Sequence, residues 1–177
     1  MTNNKKFRIV ITGVENSGKS TLIGPLAEKF NWPFVLELCR ENTDVLNGTE
    51  TFETLQDLHR LEEKRCKELT ETTSAKGIFC DTAGIVLDFW SESVFGKRVT
   101  TETSSKNIDL YLLCETIEKW EEDPIRLLPN HKDRIEKNNE FRTRLDQEKA
   151  PYIYIPVMPL KERVEFAEQK IKEILHV

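Results

Sequence analysis

The chain has 177 residues, the length of one ordinary domain, and is long enough to bury a hydrophobic core. With 38% hydrophobic and 32% charged residues, and without an apolar run long enough to cross a bilayer, the composition excludes a disordered or membrane-spanning chain. The net charge of −5 offers no basic surface to nucleic acid, and the amino-terminal residues do not resemble a signal peptide, so we expect a single cytoplasmic domain that binds neither nucleic acid nor membrane.

Short apolar runs alternate with longer amphipathic stretches, which predicts an α/β fold with a five-stranded parallel sheet flanked by helices. The predicted strands are residues 7–12, 33–38, 77–81, 108–114 and 152–156. The predicted helices are residues 19–30, roughly 50–73, 85–95, 131–148 and 160–175. Pro25 lies inside the first predicted helix, where it removes a backbone hydrogen bond and is expected to bend or end that helix.

Between the first strand and the first helix, residues 13–20 read GVENSGKS, which fits the P-loop pattern G-x-x-x-x-G-K-[ST] in the context that pattern requires. Gly13 and Gly18 permit turns that point backbone N–H groups at phosphate, and the following helix adds its positive end. We therefore predict a P-loop NTPase fold that binds ATP with Mg²⁺. Lys19 is expected to reach the β and γ phosphates, and Ser20 to ligate the metal. The candidate cofactor-binding residues are Gly13, Glu15, Asn16, Ser17, Gly18, Lys19, Ser20 and Thr21.

Asp81 closes the predicted third strand and is the candidate for a second metal ligand, although it is also placed to cap the next helix. Residues 81–84 spell DTAG, which also resembles the second phosphate-sensing motif of small GTPases. A guanine-reading NKxD motif should then follow the fourth strand, but after Cys114 the chain continues ETIEKWEEDP. We interpret DTAG as coincidental, and a nucleotide-binding regulatory ATPase or GTPase stays as an alternative class.

The chain contains four cysteines that are far apart in sequence and form no CxxC pair: Cys39, Cys66, Cys80 and Cys114. This spacing suggests neither a zinc site nor a redox pair, so we expect reduced, structural cysteines.

Several further motifs fall in one order along nearly the whole chain. They are Glu37-Leu38-Cys39-Arg40, Asp81-Thr82, Trp90-Ser91-Glu92, Phe95-Gly96, the strand from Asp109 to Leu113, and Trp120-Glu121-Glu122-Asp123-Pro124-Ile125-Arg126. Together with the P-loop, this series resembles the nicotinamide-riboside kinase domain of NadR-type proteins and the related small AAA-type P-loop ATPases. The resemblance implies a P-loop kinase that transfers phosphate from ATP to a nucleoside-like alcohol, with nicotinamide riboside as the leading acceptor and another nucleoside or nucleotide as an alternative.

The chain departs from the family pattern on the acceptor side. Ala83 and Gly84 stand where a polar residue commonly follows the Asp-Thr pair, and Leu38 replaces a tyrosine. The usual glutamine of the second helix has His59 or Arg60 near its place. We expect these changes to affect the choice of acceptor more than the ATP site. The family's DNA-binding and adenylyl-transfer regions are also missing from this sequence, so we expect a single activity.

Phosphoryl transfer needs charge neutralisation around the γ-phosphate and a group that orients the attacking hydroxyl. Arg126 and Arg134 flank a polar segment and are candidates for the first task in a lid spanning about residues 115–134, although surface ion pairs would also explain them. Glu37 is a candidate base or ribose ligand, unless it serves only as an ion-pair partner of Arg40.

These expectations define the remaining candidate residues. Arg40 and Asp123 are candidates to hold the acceptor, and Trp120 is a candidate to stack on its base or, alternatively, to pack as a structural plug. The catalytic candidates are Lys19, Glu37, Asp81, Arg126 and Arg134, and the substrate-binding candidates are Glu37, Arg40, Trp120 and Asp123.

Overall fold

The computed structural model describes residues 5–103, 105–123 and 126–177. Its strands are β1 Phe7–Thr12, β2 Phe34–Val35, β3 Gly77–Asp81, β4 Leu110–Cys114 and β5 Tyr152–Ile155. Its α-helices are α1 Lys19–Phe30, α2 Thr43–Asn47, α3 Phe52–Thr72, α4 Gly84–Phe95, α5 His131–Gln147 and α6 Leu160–Leu175. None of the helices in the described part of the chain is long and apolar enough to span a membrane.

The five strands form one parallel sheet, as the alternation of strands and helices predicts, and their order in it is β2-β3-β1-β4-β5. β1 is central, with Ile11 aligned beside Asp81 of β3 and Leu112 of β4. Because all strands run in one direction, their carboxyl ends meet at one edge, where α/β folds bind ligands. The P-loop, which follows β1, and Asp81, which ends β3, therefore lie side by side at that edge.

Each face of the sheet packs against a different set of helices, because alternate side chains of a strand point to opposite faces. Ile9, Leu112 and Ile155 lie in the cluster that contains the apolar residues of α1 and α6. Val10 and Leu113 face the other way, in the cluster that contains residues of α3, α4 and α5. The strands are buried on both sides, which explains their nearly continuous apolar sequence.

The second predicted strand is the largest error in the secondary-structure prediction. Residues 33–38 are all apolar or strand-compatible apart from Glu37, yet only Phe34–Val35 pair with β3. The chain then turns into a 3₁₀ helix, Leu38–Glu41, and the short helix α2, whose Val45 is buried with Leu38 and Leu55 in a third apolar cluster. The strand β2 is short because the residues after Val35 pack against α3 and do not continue along β3.

Of the two effects expected of Pro25, bending or ending the helix, the second does not occur, and α1 has the predicted bounds. The helix continues through it to Phe30. Its buried face, which includes Leu22 and Leu26, packs on the sheet before and after the proline. Burial of that face offsets the loss of one backbone hydrogen bond, because tertiary packing contributes most of the stability of a helix in a folded protein.

The cysteines are all buried and unpaired, as predicted, but two of them are close together in space. Cys66 of α3 and Cys80 of β3 have their Sγ atoms 3.2 Å apart. The sequence separation of 14 residues conceals this contact, which arises because α3 packs directly on the strand that follows it.

Candidate active site

The P-loop has the backbone geometry that a phosphate nest requires. Gly13 has a φ of 130°, and a Cβ there would lie 2.6 Å from the carbonyl oxygen of Cys114, so only glycine fits. Asn16 and Gly18 adopt left-handed conformations with φ of 56° and 70°. α1 begins at the next residue, so its unpaired N–H groups and positive end point into the loop.

The Lys19 side chain folds back over this loop. Its Nζ donates hydrogen bonds to the carbonyl oxygens of Gly13 at 2.8 Å and Val14 at 3.0 Å. The ammonium group therefore lies above the loop, where a β or γ phosphate would meet it. Ser17, which is buried, has a hydroxyl without a hydrogen-bond partner, and Thr21 lies exposed in the first turn of α1.

Ser20 and Asp81 form the pair predicted for the metal. The Ser20 hydroxyl donates to Oδ2 of Asp81 at 2.7 Å, and the carboxylate is only 2% exposed. Its second oxygen, Oδ1, is buried without a partner. A hydroxyl and a carboxylate oxygen are ligands suited to Mg²⁺, which takes few protein ligands and keeps waters and phosphate oxygens for the rest.

No group of three or more histidine, cysteine or carboxylate side chains that could hold a metal occurs within the described ranges. Ser20 and Asp81 thus supply too few ligands to hold a metal ion without other ligands. Two protein ligands suit a Mg²⁺ ion that binds together with the phosphates of a nucleotide. Asp81 does not cap α4, the alternative role for this residue. That helix begins at Gly84, follows Ala83 and receives no side-chain cap.

Glu15 has a structural contact that the P-loop motif does not predict. Its Oε1 accepts hydrogen bonds from the backbone N–H groups of Leu127, at 2.8 Å, and Leu128. The side chain therefore holds the segment between β4 and α5, which we call the β4–α5 segment and define as residues 115–130. We expected Glu15 to contact the nucleotide; in the structure its carboxylate is occupied by this segment.

Asn16 makes a second connection between the loop and the β4–α5 segment. Its Nδ2 donates to the carbonyl oxygens of Ile117 at 3.0 Å and Lys119 at 2.8 Å. Its Oδ1 accepts from Nη1 of Arg126 at 3.1 Å. Arg126 thus contacts the P-loop, and its contact with a phosphate stays a prediction. The Asn16 side chain, which was expected to bind the nucleotide, is hydrogen-bonded to protein atoms.

Arg134 differs from its predicted role. The side chain is fully buried, and each of its five N–H donors is paired with a protein oxygen. The acceptors are Thr116 Oγ1 and the carbonyl oxygens of Ile117, Glu118, Leu128 and Pro129, at 2.7 to 3.1 Å. In this conformation Arg134 has no donor left for a phosphate, and it instead ties the two ends of the β4–α5 segment together.

Trp120 lies between the two arginines. The Arg134 guanidinium is 5.0 Å from its ring centroid and that of Arg126 is 6.0 Å away. The ring therefore contacts one cation of its own segment and one of α5, which supports the packing alternative over an open stacking platform. Of the motif from Trp120 to Arg126, residues 124 and 125 lie outside the described residues.

Glu37, Arg40 and Asp123 form a chain of charges. Arg40 contacts Glu37 Oε2 through Nε at 3.2 Å and Asp123 Oδ2 through Nη1 at 2.8 Å. The ion pair proposed as the structural alternative for Glu37 is thus present, and Asp123 is joined to it. Burial raises the pKa of Glu37, with Lys19 and Arg40 opposing the rise and Asp81 adding to it.

Val35 aligns beside Cys80, so Glu37, two residues further along the chain, lies at the same edge of the sheet as Asp81. His59, rather than Arg60, faces this end of the sheet. A Cβ on Gly84 would lie 3.0 Å from His59 Cε1, and the histidine Nδ1 has no partner, whereas Arg60 is exposed and paired with Asp57.

Sequence reasoning missed two polar residues that support the P-loop from other helices. Asn138 of α5 accepts a hydrogen bond from the Val14 N–H at 3.3 Å, and Arg163 of α6 donates to the Ser17 carbonyl oxygen at 2.8 Å. Neither belongs to a motif. The only available signal is that both are polar residues on the apolar stripe of an amphipathic helix.

Solved structures of known proteins share this architecture. NadR protein in complex with NR superposes with a TM-score of 0.74 and 19% sequence identity over 97% of this chain. Deoxyadenosine kinase from M. mycoides gives a TM-score of 0.63 and 15% identity, covering 95% of this chain and all of the other. Thymidylate kinase from Candida albicans gives 0.60 and 16%, covering 96% and 92%. At these identities the likeness establishes the fold.

The chain spans about half the length of the NadR chains, 52% and 50% in two complexes, so it corresponds to one part of that protein. A family model described as an AAA domain matches residues 8–163, which include the P-loop, Asp81 and the β4–α5 segment. The resemblance drawn from the motifs is therefore confirmed at the level of family and fold. The chain belongs to the AAA_28 family of AAA domains and has a NadR-like P-loop kinase fold.

Proposed function

We propose that the protein is an ATP-dependent kinase that transfers the γ-phosphoryl group to a hydroxyl of a nucleoside-like molecule. One observation carries this proposal: the phosphate loop, the Ser20–Asp81 pair and the carboxylate of Glu37, whose side chain is 15% exposed, follow neighbouring strands at the carboxyl edge of the sheet. A regulatory nucleotide-binding protein needs the first two of these. A carboxylate beside them is able to orient and deprotonate an attacking hydroxyl, as phosphoryl transfer to an alcohol requires.

The residues of the loop would bind the triphosphate. Backbone N–H groups around Gly18 and at the amino end of α1 donate hydrogen bonds to its negative oxygens, and the Lys19 ammonium exchanges its two loop carbonyls for β and γ phosphate oxygens. Bound Mg²⁺ would neutralise charge on the β and γ phosphates. Ser20 and Asp81 are the residues that would hold it.

Glu37 would act on the acceptor. Its carboxylate accepts the proton of the attacking hydroxyl, whose oxygen forms a bond to the γ-phosphorus while the bond from phosphorus to the β–γ bridging oxygen breaks. The products are the phosphorylated acceptor and ADP, with the proton on Glu37. Arg40 keeps the carboxylate oriented through its contact with Oε2.

We further propose that the β4–α5 segment is a lid and that it delivers Arg126 to the phosphates. Arg126 already contacts Asn16 within the P-loop, so a small displacement brings its guanidinium over the γ-phosphate. Arg134 stays in place as the anchor on which the segment rests.

Nicotinamide riboside is the leading acceptor because the Trp120-to-Arg126 motif is the most specific part of the NadR resemblance. A NadR structure in complex with NR shares the fold, and so does a deoxyadenosine kinase. The changes at Leu38, Ala83 and Gly84 lie on the acceptor side and leave room for another nucleoside or a nucleotide.

The test is coupled detection of ADP with MgATP and a panel of acceptors: nicotinamide riboside, deoxyadenosine, thymidine monophosphate and no acceptor. We expect acceptor-dependent turnover, highest with nicotinamide riboside, and a phosphorylated product by mass spectrometry. Higher turnover with another nucleoside or nucleotide would reassign the acceptor and keep the kinase. No turnover above the acceptor-free rate at millimolar concentrations would contradict the kinase assignment.

A regulatory ATPase or GTPase is the second candidate, and the contacts of Glu15 and Asn16 with the β4–α5 segment favour it. These contacts connect the nucleotide loop directly to a surface segment, as a nucleotide-controlled switch requires. ATP or GTP hydrolysis without acceptor dependence, together with nucleotide-dependent affinity for a partner, would favour this candidate.

A further inference from the structure

Arg163 lies in the first turn of α6, directly behind the P-loop. The side chain is 4% exposed, and its Nη1 donates to the Ser17 carbonyl oxygen at 2.8 Å. The contact with the loop is close, because a Cβ on Gly18 would lie 2.7 Å from the same nitrogen. Because Gly18 has no side chain, it leaves space for the Arg163 guanidinium as well as for a phosphate.

The charge of Arg163 is not balanced by the protein. Its Nε and Nη2 are buried without a hydrogen-bond partner, and no carboxylate among residues 5–103, 105–123 and 126–177 forms an ion pair with it. The other two buried arginines have partners for their charge or for all their donors, although Nε of Arg8 also lacks a hydrogen-bond partner. Arg8 is held by both oxygens of Glu63, and Arg134 has every donor paired. A buried, unpaired cation is costly, so a compensating anion is expected nearby.

The bond to Ser17 also fixes the orientation of the loop. In a trans peptide the C=O and the N–H that follows it point in opposite directions. Because Arg163 holds the Ser17 carbonyl on its own side, the Gly18 N–H points away from α6, toward the interior of the nest. Loss of this contact would allow the Ser17–Gly18 peptide to rotate, which removes a donor from the phosphate.

We propose that Arg163 is a positioning residue of the phosphate site: it orients the Ser17–Gly18 peptide, and its buried positive charge is balanced by a bound polyphosphate. This inference rests on the proposed function, since it assumes that the P-loop takes a nucleoside triphosphate. The ligand class it selects is the polyphosphate tail rather than the base or the acceptor.

The test is isothermal titration of wild type, Arg163→Met and Arg163→Lys with ATP, ADP and AMP in the presence of Mg²⁺, and with inorganic tripolyphosphate. We expect Arg163→Met to weaken ATP and tripolyphosphate binding by about 10- to 100-fold, the usual range for a charged hydrogen bond. The loss should decrease from ATP to ADP to AMP, and Arg163→Lys should restore part of it. A merely structural role would weaken all three nucleotides equally.

Arg8→Met is the matched control, because it also removes a buried arginine but lies at the opposite end of β1. Its ATP affinity should equal that of wild type. If Arg163→Met does not fold, the same titrations are made with Arg163→Gln, because glutamine keeps an N–H donor and removes the charge. Wild-type ATP affinity in the folded neutral variant, or an equal loss for ATP and AMP, would overturn the inference and leave the kinase proposal intact. A wild-type protein that binds no polyphosphate would overturn both.

Discussion

At the scale of single residues, the P-loop and the end of β3 contain side chains with two different sets of contacts. Lys19, Ser20 and Asp81 converge on the space where the phosphates and the metal would lie. Glu15 and Asn16 point the other way and hold the β4–α5 segment. Glu15 and Asn16, at variable positions of the motif, thus attach the loop to the β4–α5 segment. Lys19 and Ser20, at its fixed positions, are the residues proposed to bind the phosphates and the metal.

The pH dependence of turnover tests the role of Glu37. Burial raises the pKa of this carboxyl above the ordinary glutamate value of 4.5. A base must be deprotonated, so kcat/KM should decrease on acidification at a higher pH than for an ordinary glutamate. Glu37→Gln should lower kcat by about 10²- to 10⁴-fold and remove this acid limb. The measurement is a pH–rate profile of both proteins with MgATP and the acceptor.

An acid limb that persists unchanged in Glu37→Gln would show that another group is the base. Exposed Glu53, in the first turn of α3, provides the control, because Glu53→Gln should leave the profile as in wild type.

The sequence was sufficient to predict the residues that act through a motif, and insufficient for those that act through tertiary packing. The Ser20–Asp81 pair follows from the P-loop and the end of a strand, since parallel strands deliver both to one edge. Arg163 and Asn138 reach the loop from helices more than 100 residues away, and no local pattern marks such contacts. Arg134 was assigned to the phosphates because its burial is invisible in sequence.

At the scale of elements, the described part of the β4–α5 segment is attached to the rest of the molecule by polar contacts. Arg134 joins its beginning to its end, and Glu15 and Asn16 attach it to the P-loop. The segment is therefore tied to the nucleotide loop on both sides of residues 124 and 125. The adjacent helix α5 supplies the anchor from its first turn, where Asn130 caps it.

Arg134→Met should release this segment. It leaves five acceptor oxygens, four of them backbone carbonyls, without their donor, and the free energy of unfolding should decrease by about 3 kcal/mol. Hydrogen exchange of the amides at residues 116–123 and 126–130 should accelerate more than that of the sheet. Chemical denaturation and native-state exchange measure the two effects.

Arg142→Met is the control for this variant, because it removes an exposed arginine from the same helix and should change neither quantity appreciably. Exchange that accelerates uniformly across the protein in Arg134→Met would contradict the anchoring role and indicate general destabilisation instead.

The limits of prediction at this scale are visible in β2 and α1. Strand propensity over residues 33–38 is real, but the edge position offers only β3 as a partner, and the chain after Val35 gains more from packing against α3. Pro25 disfavours the interior of a helix, but burial on both sides of it outweighs that preference, and α1 runs to Phe30 as the predicted bounds have it. In both cases tertiary contacts overrode a correct local preference.

At the scale of the whole molecule, the order of strands and helices was predictable because a parallel sheet requires buried strands and crossover helices. The observed order β2-β3-β1-β4-β5 places the P-loop at the centre of the sheet, between the strands that supply Asp81 and the β4–α5 segment. We propose that this edge of the molecule binds a nucleoside triphosphate together with magnesium.

Calorimetric titration of the wild-type protein and Lys19→Ala with ATP, with and without Mg²⁺, tests that claim most directly. Wild type should bind ATP tightly only in the presence of magnesium, and Lys19→Ala should lose tight binding while its near-ultraviolet circular dichroism stays native. If the wild-type protein shows no magnesium-dependent affinity for ATP or GTP, or if Lys19→Ala binds as well as wild type, the account of the site is wrong.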